Sequence, residues 1–424
     1  MKAAAAFATL FAAASASAVS YDGYKVYRVP VGESADDINA LVSRLGLDTW
    51  ENSGLPGSFA DVVVAPDQIE IWEQESAGLG AEVMHEDLGA SIAEESAVDS
   101  FGIASVDGDA VSTMADITWF NNYHPYAEHL TFLQELQTQF PARARVITSG
   151  TTGQGRAITG IHMYGSTGGG SRPAIIFHGN VHAREWITSM TVEYFAWTLL
   201  SGYASNTEIR GFLDRYDFYL FPVVNPDGFV YSQTTDRLWR KNRQAVSGNS
   251  CLGTDVNRNW NYQWAPTGGA STNPCAQDYK GPSAASAPET RALASFASSI
   301  RSSQGLKLYI DWHSYSQLFM SPYGYSCTAL PSRNAEYQRL LAGTVSAIRA
   351  VNGLSFGYGP ICSTIYRVTG GGVDYVQDVI QADYVFTAEL RDTGRYGFVL
   401  PANQILPSGQ EAWAAVRYLL LNMV

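Results

Sequence analysis

The densest chemistry in the chain lies in nine residues, HGNVHAREW at 178–186, which set two histidines, an arginine and a glutamate directly after the apolar run 174–177. Charged groups are costly where a strand is dry, so such a cluster needs a neutralising partner: a metal, a substrate, or one another. His182 and Glu185 form an H-x-x-E pair, and His313, in IDWHSYSQ, offers a third side chain of the same kind. Two imidazoles and one carboxylate leave one position of a tetrahedral zinc open for water, the pattern of a catalytic centre rather than a structural one. Alone, H-x-x-E is weak, because surface helices contain it by chance. Its place after an apolar strand and among arginines gives it weight. His178, four residues before His182, is a rival ligand by residue type.

These side chains need a scaffold that brings distant segments together. RPAIIFHGN leads into the helix-like REWITSMTVEYFAWTLLSGY, and DFYLFPVVNPDG reads as a strand ending in a turn. LKLYIDWHS is followed by the helical pattern NAEYQRLLAGTVSAIRAVNG, and VFTAELRDT by the closing helix SGQEAWAAVRYLLLNMV. This alternation predicts an α/β fold, a mixed, largely parallel sheet with helices on both faces. Ligands of such sheets bind beyond the carboxyl ends of the strands. His182, Glu185, His313 and Glu389 all fall at or near strand ends. Ahead of this region, YKVYRVPV (24–31) alternates like a half-buried strand, 35–46 is amphipathic and DVVVAP (61–66) reads as another strand, together a small α+β unit. The acidic, small-residue stretch 94–116 reads as a linker or frayed helix, which puts a domain boundary near 113.

At 424 residues, 46% hydrophobic and 16% charged, the chain has room for two globular domains. Residues 1–18 carry one lysine, a small apolar stretch and Ala16-Ser17-Ala18, the form of a secretory signal, so export is expected with the mature chain starting near Val19. No later stretch approaches the roughly 18 apolar residues a bilayer requires, which argues against a membrane protein. The net charge of −13 is uneven. Residues 19–113 hold nineteen acids against Lys25, Arg28 and Arg44, whereas 114–424 is nearly balanced. The acidic quarter is either a solvated face or a surface for basic partners, and no clustered basic run points to nucleic acid. Four cysteines in an exported chain favour disulfides. Sequential pairing, Cys251 with Cys275 and Cys327 with Cys362, closes the shortest loops, each worth about 3 kcal/mol on a loop-entropy account.

Six segments, HAREW (182–186), RLWRKNR (237–243), DVNRNW (255–260), HSYSQ (313–317), IYRVTGGGVD (365–374) and ELRDTGRYGF (389–398), occur in order. Together they resemble the secreted zinc metallocarboxypeptidases of the pancreatic A/B type, over about 114–424. Residues 19–113 resemble that family's propeptide more weakly. The resemblance implies one zinc held by His182, Glu185 and His313, with Asp255 orienting the first histidine. It leaves His178 as a hydrogen-bonded strand-end residue. It implies Glu389 as general base and Arg240 as the oxyanion-stabilising residue. Arg258, helped by Asn257 and Tyr366, matches the clamp for a free C-terminal carboxylate, a task suited to bidentate arginine. Arg184 belongs to the same substrate-binding set, and Tyr315 and Phe398 match walls for the penultimate residue. Val373 stands where basic-selective members carry aspartate, so an A-type preference for apolar, aromatic or large aliphatic C-terminal residues is expected. Met320, Ile361 and Thr387, with Gly324 and Gly371, match other pocket positions.

One departure concerns activation. No Lys or Arg occurs between Arg44 and Arg143, so trypsin has no site between propeptide and enzyme. Cleavage near 105–118 by a protease of other specificity is expected, with the propeptide acting as an intramolecular inhibitor and the protein as a monomer. Two alternatives stand beside this reading. A non-catalytic peptide- or zinc-binding homologue should have lost Glu389, Arg240 or a ligand, and none is lost. A zinc amidohydrolase of small acylated amino acids shares H-x-x-E plus His, but the clamp of Asn257, Arg258 and Tyr366 together with the apolar pocket argues for peptides.

Overall fold

The computed structural model describes residues 18–52, 54–96 and 115–424. The expected signal segment, the boundary near 113 and most of the 105–118 cleavage window lie outside the described residues. No helix among the described residues is long and apolar enough to cross a membrane.

The first sheet comprises β1 (Lys25–Pro30), β2 (Asp48–Asn52), β3 (Phe59–Val64) and β4 (Glu82–His85), ordered β2-β3-β1-β4 with every pair antiparallel. The helix Asp36–Leu45 buries Ile38 and Leu41 against Val62, Val64 and Trp72. It stops at Gly46, whose φ of 65° is the left-handed turn that glycine adopts without a side-chain clash.

The second sheet comprises β5 (Ala144–Thr151), β6 (Ala157–Met163), β7 (Ala174–His178), β8 (Asp217–Phe221), β9 (Leu306–His313), β10 (Leu318–Ser321), β11 (Gly357–Pro360) and β12 (Tyr384–Glu389). Its order is β11-β10-β12-β9-β7-β8-β6-β5, and the central pairs β8-β7, β7-β9 and β9-β12 are parallel. The mixed, largely parallel sheet expected from the alternating pattern is therefore present. β7 is buried throughout, and its alternate side chains serve two cores. Ile175 and Phe177 pack with the helices Trp186–Gly202, Asn334–Asn352 and Ile405–Asn422, whereas Ala174 and Ile176 pack with Pro288–Gln304. Helices thus cover both faces. The central strands β7, β8 and β12 read as largely apolar runs, because neither face meets water, whereas β9 carries the buried Asp311.

NPDG, read as a turn, instead begins the helix Pro226–Thr234. Asn225 caps it by accepting from the Gly228 amide, and Pro226 occupies the first turn, where its missing N–H costs nothing. The same four residues suit either outcome locally. The tertiary packing of Phe229 against Trp186 and Val223 selects the helix.

Candidate active site

Three neighbouring parallel strands end side by side: β7 at His178, β9 at His313 and β12 at Glu389. Glu389 lies opposite His313 in register. After β7 the chain reverses through Gly179 and Asn180, whose φ of 53° is a left-handed conformation that asparagine tolerates. The Asn180 amide donates to Thr188 Oγ1 at 2.8 Å, pinning the loop to the following helix. This turn carries His182 and Glu185, the residue just before Trp186–Gly202, back over the end of β9.

The three side chains converge. His182 Nδ1 is 2.8 Å from Glu185 Oε1, and His313 Nδ1 is 3.0 Å from Glu185 Oε2 and 3.1 Å from His182 Nδ1. All three residues are buried, and one ligating atom from each falls within 4.8 Å of the others. On the far side of each ring, His182 Nε2 meets Asp255 Oδ1 at 3.1 Å and His313 Nε2 meets Asp311 Oδ2 at 3.0 Å. If each Nε2 carries the proton shared with its carboxylate, both Nδ1 lone pairs face a third acceptor, Glu185. Such a triangle of acceptors requires a cation, and the N, N, O donor set suits zinc. Burial works against Glu185 ionisation, yet His182 and His313 hold its carboxyl well below the usual range. Glu185 therefore enters the site as an anion.

The remaining candidate residues gather around this centre. Asp255 Oδ1 also accepts from the Asn257 amide at 2.8 Å, capping the short turn Val256–Arg258. Its Oδ2 accepts from Arg240 Nη2 at 3.0 Å and Nε at 3.2 Å. Turn capping and histidine orientation are thus served by one carboxylate. Burial opposes ionisation of Asp255, but Arg240 and His182 keep it well below its ordinary value. Arg240 Nη1 lies 3.7 Å from Glu185 Oε1, beside the donor triangle. Arg258 is buried, donates through Nη1 to the Asn257 carbonyl at 3.1 Å, and stands 5.7 Å from the Tyr366 ring centre. Its Nε is buried with no hydrogen-bond partner among the described residues.

A cavity of about 40 Å³ opens beside these groups. His182, His313, Asn257, Arg258, Tyr366 and Glu389 line one side, and Met320, Ile361, Val373 and Thr387 with Gly324 and Gly371 line the other. That volume has room for a few waters. Ile365, Val368 and Asp374 also line it and were not anticipated. The Asp374 carboxyl accepts from the Gly324 and Tyr325 amides, and burial pushes it up to about 7. Burial, reinforced by Glu185 and Glu51, likewise holds Glu389 well above the usual carboxylate range, against His313 and Arg240. The disulfides join Cys251 to Cys275 and Cys327 to Cys362, with S–S distances of 2.00 and 1.93 Å.

The small N-terminal sheet lies across the mouth of this site. Trp50 packs edge-on against Phe398 and Tyr315, with ring centres 5.5 and 6.5 Å apart. The Tyr315 hydroxyl donates to Asp61 at 2.5 Å, and Asp61 is held by Arg28. Arg184 stacks over Phe398 at 3.9 Å. Burial, with Arg240 adding to it, pushes the Arg184 guanidinium down to about 10. Glu51 Oε1 is buried without a hydrogen-bond partner among the described residues, and it faces a space shared with Arg184, Arg240 and Arg258. At the exit of the small domain, Glu95 forms a buried two-pronged ion pair with Arg237, both contacts 2.6 Å. Trp50, Glu51, Asp61 and Glu95 escaped the sequence reading, since nothing local distinguishes them from other residues of an acidic domain. Tyr315 and Phe398 are therefore covered by the chain's own N-terminal domain.

Comparison with known proteins gives this arrangement a lineage. Residues 129–415 match the family model described as zinc carboxypeptidase, and residues 32–95 match that described as carboxypeptidase activation peptide. The chain is 46% identical over 419 residues to a metallocarboxypeptidase A-like protein of Trichophyton verrucosum, covering 97% of each chain. It is 37% identical over 402 residues to carboxypeptidase A1 of Homo sapiens, covering 93% of this chain and 92% of that one. Among solved structures, thrombin activatable fibrinolysis inhibitor superposes with a TM-score of 0.83 at 26% identity, covering 94% of this chain and 98% of the other. The carboxypeptidase A of Helicoverpa armigera superposes with a TM-score of 0.79 at 28% identity, covering 94% and 97%.

Proposed function

The chain belongs to the zinc carboxypeptidase family and carries its activation peptide, and on that basis we propose that it is a secreted zymogen whose enzyme domain removes apolar, aromatic or large aliphatic residues from peptide C-termini. The observation that carries this reading is the one cavity shared by His182 and His313 of the His182–Glu185–His313 donor set, Arg258 and an apolar wall containing Val373. When bound, zinc supplies Lewis-acid polarisation of the scissile carbonyl and makes a water more acidic. The chain's own residues do the rest. Arg258, with Asn257 and Tyr366, grips the terminal carboxylate and so fixes which bond reaches the donor set. Glu389 takes the proton of the attacking water and passes it to the departing amine. Arg240, held by Asp255, donates to the oxyanion, a contribution whose removal commonly costs about a hundredfold or more. Val373 offers no counter-charge for Lys or Arg, whereas a Phe or Leu side chain gains about 2–3 kcal/mol by leaving water. Arg184, Tyr315 and Phe398 line the approach taken by the penultimate residue.

In this reading residues 1–18 are a signal peptide, 19–113 the inhibitory activation domain with its linker, and 114–424 the enzyme. A protease of non-tryptic specificity releases a monomeric enzyme by cutting near 105–118. Rates on blocked peptides ending in Phe, Leu and Lys, with and without a chelator, test the function. Activity that survives metal removal, or that favours Lys, refutes it. A stable active fragment cut by trypsin within 105–118 refutes the activation scheme alone.

A further inference from the structure

Within the donor set, His182 and His313 are treated alike: each presents Nδ1 inward and Nε2 to a buried carboxylate. Asp255 does this for His182. Asp311 does it for His313, and it arises from a different part of the fold. Asp311 and His313 are two apart on β9, so their side chains leave the same face, while Trp312 between them points into the opposite core. Tyr309 shares that face. Across the parallel ladder, His178 at the end of β7 pairs in register with Asp311.

The result is a row of buried polar groups. The Tyr309 hydroxyl lies 2.5 Å from His178 Nε2, and His178 Nδ1 lies 3.3 Å from Asp311 Oδ1. Asp311 Oδ2 lies 3.0 Å from His313 Nε2. All four residues are at most 2% exposed. His178 Nδ1 and Asp311 Oδ1 have no hydrogen-bond partner among the described residues, and their 3.3 Å approach is a charge contact. Proton positions follow in order. With the Tyr309 hydroxyl as donor to His178 Nε2, the ring proton sits on Nδ1, facing Asp311. Asp311 Oδ2 then stabilises the proton on His313 Nε2 and leaves the His313 Nδ1 lone pair directed at Glu185. Asn257 Nδ2 also lies 3.3 Å from His313 Nε2. Its Oδ1 accepts from the Gly372 amide, so the amino group faces the ring and cannot accept that proton. Of the two groups at His313 Nε2, only Asp311 can accept its proton.

We propose that Asp311, held by His178 and Tyr309, is a positioning residue for His313: it fixes the ring and its tautomer for metal binding as Asp255 does for His182. The proposal rests on the reading that His182, Glu185 and His313 hold zinc. It assigns His178, which residue type alone made a rival ligand, to the support of a ligand instead. Removing an outer partner of this kind typically loosens a metal about 10–100-fold.

The test uses the full-length protein and zinc itself, with the dissociation constant read by competition against a chromophoric chelator. D311A and D311N are expected to weaken zinc binding about 10–100-fold, comparably to D255N. They should also shift the visible absorption bands of the cobalt-substituted protein at full metal loading, a change that mere loss of stability does not produce. H178A should weaken binding by a smaller factor, and H178N, which restores an N–H donor near Asp311, should recover much of it. H178A, H178N and Y309F carry the test if the Asp311 variants do not fold. Wild-type zinc affinity and cobalt spectrum in folded D311A and D311N, while D255N loosens the metal, overturn the proposal. So does equal zinc affinity of H178A, H178N and Y309F to wild type if those variants alone fold. Failure of the unaltered protein to bind zinc overturns the underlying metal-site reading, and the proposal with it.

Discussion

Replacing Arg258 with alanine should separate carboxylate recognition from hydrolysis. The guanidinium is buried, with one hydrogen bond to the Asn257 carbonyl, a 3.9 Å approach to Asp255 Oδ2 and the Tyr366 ring centre 5.7 Å away. Most of its donors are thus uncommitted on the side that faces the cavity. A two-pronged contact with a terminal carboxylate would add two charge-assisted hydrogen bonds at about 1.5–3 kcal/mol each, roughly 3–6 kcal/mol before water refills the space. With partial recovery by water, about 3–4 kcal/mol remains, which is a factor of about 10²–10³ in kcat/KM. R258K keeps the charge but not the fork and should lose about tenfold less. The assay compares a blocked dipeptide ending in free Phe with its C-terminal amide, using activated enzyme whose zinc content and thermal midpoint match the native protein. The free acid should lose its advantage in R258A while the amide rate stays constant. The reasoning is refuted if R258A keeps the native preference for the free acid, or if acid and amide rates fall together.

Other substitutions probe the pocket and the inhibitory domain. V373D places a carboxylate in a wall that is 4% exposed, beside Asp374; rates on C-terminal Phe should fall about tenfold or more and those on Lys should rise. E95Q removes one partner of a buried ion pair at a cost of about 3–5 kcal/mol, lessened here because Arg237 also donates to the Arg184 and Phe398 carbonyls; it should lower the zymogen's thermal midpoint and raise its residual activity. Docking of the N-terminal domain should also depend on pH through Glu51. Burial and then Asp61 push its carboxyl up to about 8, with Arg240 opposing, from an ordinary value near 4.3. Docking is therefore strongest below the ordinary value, weakens as pH rises through the interval up to about 8, and changes no further above it. His85 acts in the opposite sense: burial lowers it, against the Tyr396 carbonyl, Asp392 and Asp61, so acid below its ordinary range also weakens docking. The affinity of the cleaved domain for the enzyme, measured from pH 5 to 9, should lose its alkaline decline in E51Q while keeping its acid limb.

Much of the machinery was legible because its signals are local. An H-x-x-E after an apolar run, an arginine in NRNW and a glutamate ending VFTAE each announce themselves within a few residues. The largely apolar character of β7, β8 and β12 likewise announces strands covered on both faces. NPDG shows where local reading stops, since the same residues suit a turn or a capped helix until Phe229 finds its core. The cover over the cleft lay further still from reach: Trp50, Glu51 and Asp61 gain their meaning from Phe398, Arg240 and Tyr315, hundreds of residues away. Asp311 lies between these extremes. Its spacing of two from His313 places both side chains on one face of a strand, but only the parallel register of β7 against β9 supplies His178 as its partner. Sequence decides which groups are present and which face of an element they share, because side-chain periodicity is a property of the local backbone. Tertiary structure decides which of those groups meet, because strand order and domain docking are settled by the burial of surfaces contributed from the whole chain.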